Sequence, residues 1–100
     1  MIGTIKFDSI AEARRYQELK LLEKAGEISC LKLQPRYLLQ EGFKKNGKTY
    51  RKIEYVADFR YFNGEKVIIE DVKGKETEAF KIKHKLFEYI YPEYELRIVK

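Results

Sequence analysis

The feature that most constrains this chain is a run of apolar, β-branched residues that ends in charges. It reads VIIEDVKG at residues 67–74 and is typical of a buried strand that stops at a glycine. Because strand side chains alternate, Asp71 and Lys73 are predicted on one face and Glu70 and Val72 on the other. Charged groups at the end of so apolar a strand are costly to bury without a purpose, so the pattern indicates a functional edge of a sheet.

A second apolar segment, residues 55–59, carries one carboxylate, Asp58, in its middle. Asn63 and Gly64 form a turn signal between the two segments, which predicts a hairpin that brings Asp58 near Asp71. Two carboxylates and one lysine at a sheet edge are the minimal set of groups for a phosphodiesterase that uses a divalent metal.

The remaining elements follow from caps, turns and periodicity. Ser9 is a predicted N-cap with Glu12 at the capping-box position, and the helix that follows ends at Gly26. Further predicted elements are extended chain at 28–40, strands at 53–62 and 66–73, a helix at 78–91 capped by Thr77, and a strand at 95–99. The last strand follows a helical crossover and is expected to pair in parallel. The prediction is therefore one α/β (α+β) domain over residues 1–100, in the order αβββαβ, with a mixed four-stranded sheet flanked by helices.

The formal excess of positive charge lies in one segment. The chain has a net charge of +5. Residues 43–52 contain no acidic residue but five basic ones, Lys44, Lys45, Lys48, Arg51 and Lys52. Asn46 and Gly47 mark a turn at the centre of this segment. A solvated hairpin is the simple interpretation, and contact with nucleic-acid phosphates is the functional one. Arg14, Arg15, Arg36 and Lys75 are further candidates for contacts with a nucleic-acid backbone.

The candidate chemistry assigns a role to each charged side chain. Asp58 and Asp71 supply hard oxygen ligands of the kind Mg²⁺ prefers, and the carbonyl of Val72 can add another. Glu12 can complete the metal shell from the first helix. Lys73 is assigned the orientation of a water molecule and the stabilisation of charge, and Lys83 can approach the same cleft from the second helix.

Each of these residues also has a structural interpretation. Glu12 can serve only the capping box, Asp58 can be a hydrogen-bonded strand carboxylate, and Asp71 and Lys73 can be a simple ion pair. Lys83 can extend past its apolar neighbours to solvent. Glu70 is interpreted as a residue of the opposite face or a supporting residue, and His84 as a surface or structural residue.

The composition excludes several classes of protein. The single cysteine, Cys30, cannot form an internal disulfide and is expected to be a small, partly buried apolar residue in a reducing, cytoplasmic compartment. Residues 1–7 lack the pattern of a signal peptide, and no apolar run is long enough to span a membrane. No organic cofactor is expected.

Five sequence blocks carry a resemblance to a known superfamily. They are SIAEARRY at 9–16, KAGEI at 24–28, LQPR at 33–36, YVADFRY at 55–61 and EDVKG at 70–74. Asp58 followed by Asp71, Val72 and Lys73 resembles the PD-(D/E)XK signature of the restriction-endonuclease-like superfamily, with Ala57 in place of the proline. The blocks together resemble a family of small phage and prophage proteins of undefined function in that superfamily.

The resemblance implies a Mg²⁺-dependent DNA endonuclease that accepts Mn²⁺ as a substitute, leaves a 5′ phosphate and acts in phage recombination, replication or packaging. It implies a homodimer in the host cytoplasm, with branched or junction DNA as the first expectation for the substrate. The alternatives are a catalytically inactive nucleic-acid-binding module and a protein-binding accessory of phage replication or packaging. Binding to DNA that depends little on salt would favour the accessory, because a phosphate-binding protein releases counterions.

Overall fold

The computed structural model describes residues 7–100. The residues considered for a leader segment lie mostly in 1–6, outside the described part. The described elements, in chain order, are α1 Ile10–Lys24, β1 Ser29–Leu33, β2 Arg36–Gln40, β3 Phe43–Lys45, β4 Lys48–Tyr50, β5 Ile53–Val56, β6 Phe59–Asn63, β7 Lys66–Val72, α2 Glu78–Ile90 and β8 Glu95–Val99.

The main sheet has four strands in the order β1-β6-β7-β8. Strand β6 pairs antiparallel with both β1 and β7, whereas β7 and β8 pair in parallel through the α2 crossover. The mixed four-stranded sheet and the two helices confirm the predicted α+β class. The arrangement is compatible with a restriction-endonuclease-like core.

Two predicted strands are each divided in the structure, which corrects the simple αβββαβ order. The segment 28–40 breaks at Gln34, which has φ 50°, and at Pro35, which has no backbone donor. The segment 53–62 breaks opposite this point, where the amide of Ala57 donates to the carbonyl of Pro35 at 3.1 Å. Strands β2 and β5 therefore leave the main sheet and pair with each other.

The basic segment forms a hairpin beyond β2 and β5. Strands β3 and β4 pair antiparallel around the predicted turn at Asn46 and Gly47, both of which have positive φ angles. Gly42 lies at the base of this hairpin, where an added Cβ would lie 3.1 Å from the carbonyl oxygen of Tyr50. All residues from 43 to 50 are exposed, so the hairpin projects into solvent.

The core has two parts, one on each face of the main sheet. One part contains Leu19 of α1 and Ile68, and the other contains Phe87 of α2 and Ile69. Because Ile68 and Ile69 alternate along β7, the two helices cover opposite faces. The same alternation sends the following carboxylates in opposite directions.

Both predicted helix caps are confirmed, whereas the predicted burial of Cys30 is wrong. The hydroxyls of Ser9 and Thr77 accept the amides of Glu12 and Phe80, both at 3.1 Å. Cys30, expected to be partly buried, is exposed and has φ 55° at an irregularity of β1. The irregular register turns this side chain away from the sheet interior, so that prediction is wrong.

Within residues 7–100, no helix is both long enough and apolar enough to cross a bilayer. The longest helix described is α1, with 15 residues, and it carries charged side chains along its length.

Candidate active site

Asp58 lies at the break between β5 and β6 and not in the middle of a strand, which corrects its predicted position. Its amide donates to the carbonyl of Glu70 at 3.0 Å, and its Oδ2 accepts the amide of Val72 at 2.7 Å. The break thus turns the Asp58 carboxylate across the carboxyl end of β7. Its proximity to Asp71 is as predicted, although the cause is a strand break and not simple hairpin pairing.

Asp71 is the most buried member of the cluster, with 2% of its surface exposed. The hydroxyl of Tyr55 donates to Oδ2, and Lys73 Nζ lies 3.6 Å from Oδ1. Burial, the largest cause, and the neighbouring Asp58 together raise the pKa of Asp71 to about 7, against the opposing effects of Tyr55 and Lys73. The carboxyl group therefore lies in a site with too little positive charge to balance its negative charge.

Glu12 joins this cluster from α1. Its amide is held by the N-cap Ser9, while its side chain is only 6% exposed. Burial raises the pKa of Glu12 to about 7, and a hydrogen bond and charge repulsion from Asp58 contribute, followed by Asp8 and Asp71. The Ser9 half of the predicted capping box forms, whereas the Glu12 carboxyl group lies next to Asp58. A role of Glu12 as a metal ligand stays a prediction.

A cavity of about 270 Å³ opens beside Asp71 on the α2 face, lined in part by the two lysines that the sequence singled out, Lys73 and Lys83. The buried rings of Tyr55 and Phe80 line it as well. Lys73 Nζ lies 4.8 Å from the centroid of Phe80, so the ammonium group is positioned between this ring and Asp71. The structure therefore brings Lys73 and Lys83 to one space beside the acidic cluster.

Glu70 points to the other face of β7, in agreement with the sequence interpretation. It is fully buried and accepts two hydrogen bonds from Arg15, at 2.8 and 2.7 Å, and one from the hydroxyl of Tyr61. Arg15 also contacts Glu18 at 3.1 Å. The guanidinium of Arg15 is thus committed within the protein, which removes this residue from the candidate DNA-binding surface.

The other basic candidates lie on the surface. Arg14 and Lys75 are exposed, and Arg36 is exposed with a contact of 3.5 Å to Glu54. In the described part of the chain, the ion pairs of the basic hairpin are confined to Lys52, whose Nζ lies 3.8 Å from Glu54. The remaining basic residues of this segment, Lys44, Lys45, Lys48 and Arg51, leave the hairpin strongly cationic.

The donor set determines which metal these residues can hold. Within residues 7–100, no three or more histidine, cysteine, aspartate and glutamate side chains are grouped so that they could hold one metal ion, and this includes Glu12, Asp58 and Asp71. Magnesium does not require such a site, since it is commonly bound by one or two carboxylates together with water and phosphate oxygens. The close pair Asp58 and Asp71, with Glu12 adjacent to Asp58, fits that mode and lacks the nitrogen and sulfur ligands typical of zinc.

Two site residues were missed by sequence reasoning. Tyr55 and Tyr61 hold Asp71 and Glu70 through their hydroxyls, but the sequence presents both as ordinary strand aromatics. The available signal is their position, since they are the two hydroxyl-bearing rings nearest Asp58 in the chain, one on each side of it. His84 packs 5.7 Å from the ring of Phe80, which agrees with a structural role.

Comparison with curated proteins gives no match. One family model matches residues 1–100, and its description is "Protein of unknown function (DUF1064)". Because this match covers all five sequence blocks and both halves of the acidic cluster, the chain belongs to the DUF1064 family.

Proposed function

We propose that this protein is a metal-dependent DNA endonuclease that hydrolyses phosphodiester bonds at the cluster of Glu12, Asp58 and Asp71. The observation that carries the proposal is that Asp71 contacts Lys73 and Tyr55, which both line an open cavity, while Asp58 lies next to both Asp71 and Glu12. Burial and the neighbouring Asp58 raise the pKa of Glu12 and of Asp71, and a bound cation would stabilise the ionised forms of these two groups. The same groups resemble the PD-(D/E)XK signature, with Asp58 and Asp71 as its two acids and Lys73 as its lysine.

The residues divide the work by position. Asp58 and Asp71 would hold Mg²⁺ or Mn²⁺ with the Val72 carbonyl as a further oxygen donor, and Glu12, which is not grouped with them as a third direct ligand, would act through a water molecule. A divalent cation at such a site activates water and neutralises charge on the phosphate. Tyr55 orients Asp71 through a hydrogen bond. Lys73 is 33% exposed at its side chain, so its ammonium group can contact both Asp71 and a phosphate in the cavity.

DNA is the expected substrate because the uncompensated charge is positive and concentrated. Residues 43–52 supply five exposed cations, of which only Lys52 has an ion pair in the described part of the chain, and Arg14, Arg36 and Lys75 add others elsewhere. We retain branched or junction DNA as the proposed substrate, since a single small domain has little surface with which to read a base sequence. A homodimer, a 5′-phosphate product and a role in phage recombination, replication or packaging rest on the resemblance alone.

The direct test is cleavage of labelled duplex, single-stranded and four-way-junction DNA with Mg²⁺, with Mn²⁺ or with EDTA. We expect cutting with either metal, none with EDTA, and loss of at least about 100-fold in rate for Asp71→Asn and Lys73→Met. Glu88→Gln is the matched control, because Glu88 is an exposed acid on α2. Cutting that survives both site substitutions, or no cutting on any substrate, would contradict the proposal.

Metal binding gives a second readout that does not depend on finding the right DNA. Titration calorimetry with Mg²⁺ should show one site in the wild type and none in an Asp58→Asn, Asp71→Asn double variant. Binding should be tighter at pH 8 than at pH 6, because the carboxyl groups must lose protons before they bind the cation. Equal binding by the double variant would place the metal elsewhere.

A further inference from the structure

The base of the basic hairpin, at the residue pair farthest from its turn, carries two aromatic rings that have no place in the core. Phe43 and Tyr50 are 45% and 38% exposed, and their rings stack on each other with centroids 4.7 Å apart and planes 10° apart. The two residues are directly paired across β3 and β4. Exposed, stacked rings of this size on a projecting hairpin cost solvation free energy, which a partner with flat apolar surfaces would recover.

Two cations of the hairpin, Lys45 and Lys48, lie on the same face as the rings. Lys45 and Lys48 form the next pair of the same alternating set, because each is two residues along its strand from Phe43 or Tyr50. Lys48 Nζ lies 5.3 Å from the centroid of Tyr50. One face of the hairpin thus combines an aromatic platform with two ammonium groups, while Lys44 lies on the other face.

We infer that this face of the hairpin binds an unpaired stretch of nucleic acid, with a base stacked on the Phe43 and Tyr50 rings and its phosphates beside Lys45 and Lys48. Bases offer flat apolar faces and phosphates offer negative charge, so a single strand matches both halves of the surface. The same combination of aromatic side chains and cations is the general solution for binding single strands without reading sequence.

An intact duplex matches only half of this surface. Its phosphates can contact the lysines, but its base faces are covered by neighbouring base pairs and are not accessible to the rings. A surface evolved for duplex phosphates alone needs cations and gains nothing from two exposed rings. The rings therefore favour unpaired bases, such as those at a flap, a fork or a strand end.

This inference specifies the kind of DNA that the proposed endonuclease would cut. It rests on the proposed function only in treating the bound strand as a substrate, since the binding itself does not require cleavage. The hairpin and the acidic cluster belong to separate parts of the chain, so binding by one can be measured without catalysis by the other. A protein that binds single strands but never cuts would retain this inference and lose the proposed activity. If the protein cuts DNA but its single-strand binding is unchanged by the hairpin substitutions, the proposed activity would stand and this inference would be wrong.

The test measures the anisotropy of a fluorescent oligothymidylate and of a blunt duplex in EDTA, using the full chain. The variant Phe43→Val, Tyr50→Val keeps β-branched side chains that suit a cross-strand pair, which preserves the hairpin while removing the rings. We expect it to weaken single-strand binding by about tenfold or more and to leave duplex binding within about twofold. Tyr89→Val is the matched control, because Tyr89 is 85% exposed on α2.

The salt dependence separates the rings from the lysines. The valine variant should keep the wild-type slope of log Kd against log salt, whereas Lys45→Gln, Lys48→Gln should lower its magnitude by roughly 1.4 because two phosphate contacts are lost. In the wild type, ring protons of Phe43 and Tyr50 should move upfield in NMR spectra when the oligothymidylate is added. Equal losses on duplex and single strand by a valine variant that keeps the wild-type circular dichroism spectrum would overturn the inference. Ring signals of the wild type that do not move would also overturn it, whether or not the variants fold.

Discussion

The guanidinium of Arg15 donates two hydrogen bonds to the carboxylate of Glu70, at 2.8 Å to Oε1 and 2.7 Å to Oε2. Arg15 lies one turn after Glu12 on α1, and Glu70 precedes Asp71 on β7. The ion pair therefore joins the helix that carries one acid of the cluster to the strand that carries another. We expect it to fix the distance between the two sides of the candidate active site.

Removal of one partner of this pair should be strongly destabilising. Arg15→Met leaves the fully buried Glu70 carboxylate without its cation, and we expect a loss of roughly 3 kcal/mol in the free energy of unfolding. Urea denaturation measures this loss. Arg14→Met is the control, since exposed Arg14 should change stability by less than about 0.5 kcal/mol. Similar losses for both variants would mean that the pair contributes nothing specific.

Tyr55 should control the protonation of Asp71. The hydrogen bond from Tyr55 lowers the pKa of Asp71, so Tyr55→Phe should raise that pKa further. Carbon NMR of the aspartate carboxyl groups, in the absence of metal, follows the titration directly. Tyr61→Phe removes the same kind of hydroxyl from Glu70 on the opposite face and should leave the Asp71 titration unchanged. A shift in both variants would indicate a general disturbance of β7.

The acidic cluster should make the metal-free protein less stable as the pH rises. Burial raises the pKa values of Glu12 and Asp71 to about 7, from ordinary values near 4 in the unfolded chain. A group with a higher pKa in the folded chain takes up a proton on folding, so its stabilising contribution is complete below about pH 4 and is lost as the pH passes about 7.

Urea denaturation in EDTA between pH 5 and pH 8 tests this dependence. The free energy of unfolding of the wild type should fall across that window, and the fall should be much smaller in Glu12→Gln, Asp71→Asn, where the groups no longer titrate. Saturating Mg²⁺ should reduce the fall, because the cation stabilises the ionised carboxylates. A wild type whose stability rises with pH over this range would contradict the raised pKa values.

Lys83 should contribute to DNA binding through the cavity it shares with Lys73. Lys83→Gln removes an ammonium group that lines this space, and we expect KM for DNA cleavage to rise about tenfold with a smaller change in kcat, because a phosphate contact acts before and during the reaction. Lys81→Gln is the control, since Lys81 is exposed and lies 3.6 Å from Glu78. An equal rise in KM for Lys83→Gln and Lys81→Gln would contradict a specific phosphate contact. It would mean that Lys83 acts only through its contribution to the net positive charge.

Local signals in the sequence were sufficient for most of the secondary structure. Ser9 and Thr77 mark the starts of the helices, and Asn46 with Gly47 marks the hairpin turn, because capping and tight turns depend on a few adjacent residues. The breaks within the two predicted strands could not be predicted from local signals alone. Pro35 gave a sign of irregularity, but the positive φ of Gln34 and the departure of β2 from the main sheet depend on contacts with Ala57 and Asp58, distant in the chain.

The candidate site was predicted in residue type and only partly in arrangement. The choice of Asp71 over Glu70 followed from alternation, and the structure sends the two side chains to opposite faces as expected. The same reasoning placed Asp58 within a strand, whereas it lies at a break. Its position there is set by the amide of Val72, 14 residues away, which no local pattern predicts.

The sequence by itself determined the two helices, the hairpin turn, the alternation of β7 and the concentration of positive charge in residues 43–52, since each depends on neighbouring residues. Only the tertiary structure decided which charged groups are neutralised and which remain available. In the sequence, Arg15 and Lys48 are both simply basic residues. In the structure, Arg15 is hydrogen-bonded to Glu70, 55 positions away in the chain, whereas Lys48 lies beside the exposed ring of Tyr50. Burial and long-range pairing set the energies of charged groups, and both arise only when the chain folds.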